Sequence, residues 1–258
     1  MENTGVMDFH VHPFGGQEYN LNMYPGVYEP DLASMQKQLM EAGITHICGS
    51  VLIKSHQPET FEDLRALNRE ALRLREEMGD FYTPGFHVHP AWVRESCDEI
   101  AYMHDRGVRL IGELVPYMHG WEGFSERNWE EILDVAQQYQ MVCSFHTPFA
   151  WYTKEMIKRH PGMIFVAAHP GDRQRLAEHI ELLKSCPNLY LDLSGTGLHR
   201  FGMLKLLVER AGAEKILFGT DYPICNPRMY VQAVYGEEIS DEERQMIFWR
   251  NAARILGM

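Results

Sequence analysis

The residues that could do chemistry begin at MDFHVHP (7–13), where His10 and His12 stand one residue apart. Further along, His146 ends SFH, His169 ends AAH, Asp221 ends GTD, and Glu113 lies within VRLIGELV. In an extended strand, side chains alternate faces with period two, so His10 and His12 point the same way. Both imidazoles can then reach one cation, with Zn–N distances of about 2.0–2.1 Å. His146 and Asp221 would complete the set from across a shared mouth. Nitrogen ligands with a carboxylate suit zinc, iron, manganese or nickel. A lone HxH carries little, and HVHP occurs again at residues 87–90. Joint placement at the ends of successive apolar runs makes the set informative.

Those runs are the elements that must position the site. They are 6–11, 44–52, 81–88, 108–115, 141–146, 163–169, 189–194 and 215–220, each short and apolar on both faces. That is the pattern of a buried parallel strand. Between them, residues 31–43, 59–79, 129–140, 172–185 and 201–212 have helical periodicity. Pro30 precedes the first of these, Gly43, Gly79 and Gly212 follow three of them, and Ser240 with Glu243 forms a capping box. Strands alternating with helices at roughly 25–40-residue spacing predict a (β/α)8 TIM barrel, one domain over residues 1–258. No GxGxxG or GxxxxGK turn follows any strand, which argues against a doubly wound open sheet. Barrel active sites lie at the C-terminal ends of the strands, where His10, His12, His146, His169 and Asp221 are expected.

Bulk properties narrow the partners. The chain has 258 residues with 24 basic and 36 acidic side chains, a net charge of −12, which disfavours nucleic acid and anionic membranes. Five scattered cysteines without a CxxC pair predict reduced thiols and a cytoplasmic location. The N-terminal residues show no signal-peptide pattern, and no apolar stretch reaches the ~18 residues of a membrane span.

The segments DFHVHP (8–13), FHTP (145–148), MIFVAAHPGD (163–172), NLYLDLSG (188–195), ILFGTDYP (216–223) and RNAARILG (250–257) together resemble the amidohydrolase superfamily. Within it they are most similar to the amidohydrolase-2 group that includes aminocarboxymuconate-semialdehyde decarboxylase. The resemblance spans Asp8 to Gly257. It implies that His10, His12, His146 and Asp221 are metal ligands. It makes His169 the outer histidine that contacts the metal's water or the substrate, and Asp221 the acceptor of that water's proton. It implies one divalent ion, zinc first, and is compatible with a homodimer. Related two-metal enzymes carry a bridging carboxylate on strand 4. Glu113 would bridge a second ion on His146 and His169 if it points into the mouth, and needs a cation if it does not.

Lys54 and His56 after strand 2, His89 after strand 3, Tyr117 after strand 4 and Tyr222 after Asp221 are candidates to touch a substrate. His87 and His89 are expected in the pocket wall or core, His119 and Trp121 in a wall over the pocket, and Arg173 and Arg175 on the surface. The function expected is metal-dependent hydrolysis of a small amide, ester or lactone. Non-oxidative decarboxylation of an aromatic or enoic acid on the same site is the alternative, and Lys54, where an arginine would favour it, leaves the choice open. Phosphoester hydrolysis and a non-enzymatic binder on the same barrel rank lower. Specificity is expected in the loops 13–30, 52–60 and 116–127.

Overall fold

A computed structural model describes residues 5–125, 127–146 and 151–258. Eight parallel strands follow one another around the barrel in chain order: β1 (Val6–Asp8), β2 (Ile44–Gly49), β3 (Tyr82–Phe86), β4 (Leu110–Leu114), β5 (Val142–Phe145), β6 (Ile164–Ala167), β7 (Leu189–Asp192) and β8 (Ile216–Leu217). Helices α1 (Leu32–Glu41), α2 (Phe61–Met78), α3 (Val93–His104), α4 (Pro116–His119), α5 (Trp129–Gln138), α6 (Trp151–Arg159), α7 (Arg173–Ser185), α8 (Met203–Ala211), α9 (Pro227–Gly236), α10 (Asp241–Gln245) and α11 (Asn251–Leu256) surround it. The expected TIM barrel is the fold. No described helix is long and apolar enough to cross a membrane.

The ladders are shorter than the apolar runs. β1 stops at Asp8 although the run continues to Val11, and β8 stops at Leu217 although the run continues to Thr220. The extra residues stay buried where the chain leaves the ladder and turns over the barrel mouth. His10, His12, His146, His169 and Asp221 all lie one to four residues beyond a ladder's end, whereas Glu113 lies within β4.

Helix ends follow their caps. Asp31 accepts from Ser34 N at the start of α1 and Thr60 pairs with Asp63 at the start of α2. The Ser240–Glu243 capping box opens α10 as its spacing predicts. One apolar layer lies between strands and helices. A second lies inside the barrel, where Met7, Cys48, Leu110, Val142, Val166 and Leu217 meet Ala252, Ala253, Ile255 and Leu256 of α11. The C-terminal helix thereby plugs the barrel on the side away from the mouth.

The barrel closes between its first and last strands, at the same segments that carry site residues. Phe9 N donates to Phe218 O at 2.8 Å, Asp221 N to His10 O at 2.9 Å and His12 N to Tyr222 O at 2.8 Å. Asp8, fully buried, fastens this seam: its carboxylate accepts from Thr220 Oγ1 at 2.6 Å, Thr220 N at 3.0 Å and His10 N at 3.2 Å. Thr220→Val keeps the shape and leaves Asp8 short of a partner. A loss of about 1–3 kcal/mol is expected, measured by denaturant unfolding. Unchanged stability would mean that the seam does not need this bond.

Several histidines are core residues. His46 lies between Asp80 O at 2.8 Å and Thr83 Oγ1 at 2.8 Å, and burial holds its ring below the ordinary histidine value. Burial holds His87 at about 4 and His179 at about 3. Unfolded, such rings protonate near pH 6.5; folded, they stay neutral far below it. Their contribution is therefore intact above about pH 6.5 and is lost as pH falls towards the folded values. Asp8 acts oppositely, because burial pushes its carboxyl up to about 7. The histidine share is read by difference: His179→Leu should flatten the loss of stability between about pH 7 and pH 5 relative to wild type. An unaltered pH slope would show that His179 titrates normally.

Candidate metal centre

Five side chains from four parts of the mouth converge on Glu113. Its Oε2 lies 3.3 Å from His10 Nε2 and 3.4 Å from His12 Nε2. Its Oε1 lies 3.4 Å from His146 Nδ1 and 3.6 Å from His169 Nε2. Asp221 Oδ1 lies 3.8 Å from His10 Nε2 and 3.5 Å from His12 Nε2. The period-two reading of the first HxH holds, since both rings present Nε2 to one point.

The far side of each ring fixes its orientation. His12 Nδ1 donates to Ser50 O at 3.0 Å, so its Nε2 carries the lone pair. His10 Nδ1 meets Asp192 Oδ2 at 2.9 Å and Ser194 Oγ at 3.0 Å. Ser194 Oγ also lies 2.9 Å from His169 Nδ1 and itself donates to Asp192. In their neutral forms His10, His12 and His169 therefore turn a lone pair inward, and the outer partners hold the rings as metal-binding histidines are usually held. His169 and Asp221 adopt φ of 65° and 69°, a strained conformation for these residue types, as often found at functional sites. Gly195 permits the close fit, because a Cβ there would lie 2.3 Å from His169 Nδ1.

The electrostatics favour a cation. Burial alone would raise the Glu113 carboxyl, but the imidazoles facing it, the charge of His10 foremost, hold it well below the usual range. His10 shows the reverse: burial pulls it down, and Glu113 with Asp192 more than offsets that. His10 Nε2 and Glu113 Oε1 are buried without a hydrogen-bond partner among the described residues. Such orphaned atoms are costly unless something binds them. His10, His12 and Asp221 form one group able to hold a metal ion, and His10, Glu113 and His169 form another. Residues and charge fit a divalent metal.

The substrate candidates disperse. Tyr117 is exposed, with its ring edge-on to His146 at 5.5 Å. Lys54 and His56 are exposed and line a neighbouring cavity of about 370 Å³ with Tyr117 and Ile224. Tyr222 turns away from the centre: Asp221 points inward, so its neighbour points outward and bonds the Tyr28 hydroxyl. His89 does not reach a described cavity. Its Nε2 donates to His119 O at 2.9 Å and its Nδ1 accepts from Ala91 N at 3.0 Å. His119 and Trp121 are buried. Thr147 and Pro148 of FHTP lie outside the described residues.

From sequence, Asp192 and Ser194 have no role beyond their place in NLYLDLSG, Arg200 has none, and Arg175 belongs on the surface. Asp192 carries a sign akin to that of Asp221, an acid near the end of an apolar run. Arg175, expected on the surface, is partly buried and lines a cavity of about 760 Å³ with Arg200, His146, His169 and Asp221. Neither arginine pairs with a carboxylate among the described residues, so this anion-attracting wall faces the metal side. Helix periodicity cannot show it, because Arg175 lies at the solvent edge of α7 and Arg200 in an irregular loop.

Residues 7–258 match the Amidohydro_2 amidohydrolase family. No curated protein sequence matches the chain. Among solved structures, an uncharacterised TIM-barrel protein of Bordetella bronchiseptica superposes with a TM-score of 0.78 at 19% identity, covering 98% of each chain. A 2,6-dihydroxybenzoate decarboxylase from Rhizobium gives 0.73 at 13% identity, covering 99% of each chain. A putative 2-pyrone-4,6-dicarboxylic acid hydrolase from Pseudomonas putida gives 0.71 at 19%, covering 99% of this chain and 98% of that one. At such identities these likenesses establish the fold. The match over nearly its full length shows that the chain belongs to the amidohydrolase family, an enzyme family of metal-dependent hydrolases and decarboxylases.

Proposed function

We propose that this enzyme is a two-cation hydrolase of a small ester, amide or lactone. One observation carries the reading: the Glu113 carboxylate lies between His10 and His12 on one oxygen and His146 and His169 on the other. A carboxylate so placed could serve both pairs of rings: His10, His12 and Asp221 would hold one ion, His146 and His169 would hold a second, and Glu113 would be shared between them. The nitrogen-rich donor set favours zinc. Ions bound there lower the pKa of water and polarise the substrate oxygen.

Asp221 takes the proton from the attacking water and returns it to the leaving group. Burial raises its carboxyl, which suits a group that must both accept and release a proton. His169 becomes a ligand on this reading rather than a proton carrier. Arg175 and Arg200 attract an anionic part of the substrate across the large cavity, and Tyr117 flanks its path beside His146. Small-molecule substrates suit this cavity and the −12 charge better than nucleic acid does, and five free cysteines suit a cytoplasmic enzyme.

Decarboxylation is the second reading, and the arginines favour it, since two guanidinium groups without a carboxylate partner among the described residues match a substrate carboxylate. The bridge geometry of Glu113 ranks it lower, because loss of CO2 needs no activated water.

Elemental analysis of protein purified without chelator should find about two metal ions per chain, falling to about one or none in Glu113→Ala. One ion in both proteins would remove the bridge. With p-nitrophenyl acetate as a generic ester and excess zinc present to keep the site loaded, Asp221→Asn should lower turnover by about 10²–10⁴. Undiminished turnover would displace Asp221 as proton acceptor. Release of CO2 from 2-hydroxybenzoate without ester hydrolysis would favour the second reading.

A further inference from the structure

The second HVHP, residues 87–90, supplies no ligand to the proposed centre. It nevertheless meets the same stretch of chain that orients the first. At the end of β2, Cys48 O accepts from Val11 N at 3.0 Å and Ser50 O from His12 Nδ1 at 3.0 Å. Gly49 makes this approach possible, since a Cβ there would lie 1.9 Å from Val11 O. β3 holds the alternate carbonyls from the other side. Gly49 O accepts from the Tyr82 hydroxyl at 2.8 Å, and Val51 O from His87 Nε2 at 2.7 Å. The carbonyls of residues 48 to 51 thus meet donors alternately from the ligand-bearing segment and from residues 82–87.

From this register we propose that His87 is a positioning residue for the metal ligand His12, acting through the backbone at Ser50–Val51. The inference rests on the reading of His12 as a ligand. Tyr82 and His87 pin the peptide units on either side of Ser50–Val51, so the Ser50 carbonyl stays turned towards His12. That carbonyl fixes the His12 tautomer and aims Nε2 at the centre. His87 is itself held rigidly. Its backbone N–H donates to Asn68 Oδ1 at 2.7 Å, and Asn68 Nδ2 donates to His87 O at 3.1 Å and to Glu99 Oε1 at 3.1 Å. Arg69 closes the chain on Glu99. A rigid path therefore runs from an ion pair between α2 and α3 to the metal-facing ring. His89 makes the corresponding bond on the opposite side, to His119 O in α4. The second HVHP ties the loops after β2 and β4 to β3, and the first uses the frame so made.

The test is zinc affinity, measured by competition with a chromophoric chelator. His87→Phe keeps the ring's bulk and removes the donor, and should weaken zinc binding about tenfold. His87→Gln restores a donor and should recover most of that loss. His46→Phe is the control for a buried, carbonyl-bonded histidine remote from the centre: it should lower the melting temperature and leave zinc affinity unchanged. Wild-type affinity in folded His87→Phe, or an equal loss in His46→Phe, overturns the proposal. A wild-type chain that binds no zinc, even after reconstitution, overturns the ligand reading and this inference together. Should His87→Phe not fold, 15N-histidine NMR of wild type decides: His87 must be the Nε2–H tautomer with a slowly exchanging proton. The Nδ1–H tautomer at His87 overturns the proposal.

Discussion

The structure depends on the closure of the barrel between its first and last strands. Both ladders end early, and the seam is completed by backbone bonds among residues 9–12 and 218–222, with the buried Asp8 carboxylate spanning to Thr220. The segment that closes the barrel is thus the segment that presents His10, His12 and Asp221. Backbone groups engaged in closure cannot drift, so the side chains between them are aimed by the same bonds that complete the fold. The coupling has a cost in conformational freedom. Asp221 accepts a left-handed backbone to send its N–H to His10 O while its carboxylate faces the rings.

Glu113 is the electrostatic counterpart of that seam. A fully enclosed carboxylate is unfavourable alone, and four imidazoles around it make it tolerable. The site concentrates negative charge from Glu113, Asp221 and Asp192 in one small volume and surrounds it with neutral or singly protonated rings. A proton on His10 meets that demand in part; a divalent ion would also satisfy the atoms left without hydrogen bonds among the described residues. Ser194 and Asp192 extend the arrangement outward by fixing two rings at once. The anion-attracting wall of Arg175 and Arg200 stands across the cavity, far enough from Glu113 to avoid pairing with it.

Two copies of one tetrapeptide have different roles because of the strands that carry them. The first follows β1, and its rings bond outward through Nδ1, which leaves Nε2 of His10 and His12 facing Glu113. The second follows β3, and its rings spend Nε2 on the carbonyls of Val51 and His119. Spacing alone makes the copies equal; the neighbours turn one pair towards Glu113 and the other towards backbone.

The sequence by itself determined the barrel, the strand-end location of the site, and the shared face of His10 and His12. Each of these is local: short apolar runs, helix caps such as Ser240–Glu243, and the period-two geometry of an extended chain. It also carries a sign at Asp192, an acid within a buried run, but its partners His10 and Ser194 are not visible in one dimension. Tertiary structure alone decided the direction of Glu113, the outward turn of Tyr222, the capture of His89, and the arrival of Arg175 and Arg200 on the metal side. Those outcomes depend on where loops from different strands meet. A side chain's direction beyond the end of a ladder is set by hydrogen bonds to residues far away in sequence, and no periodicity encodes them.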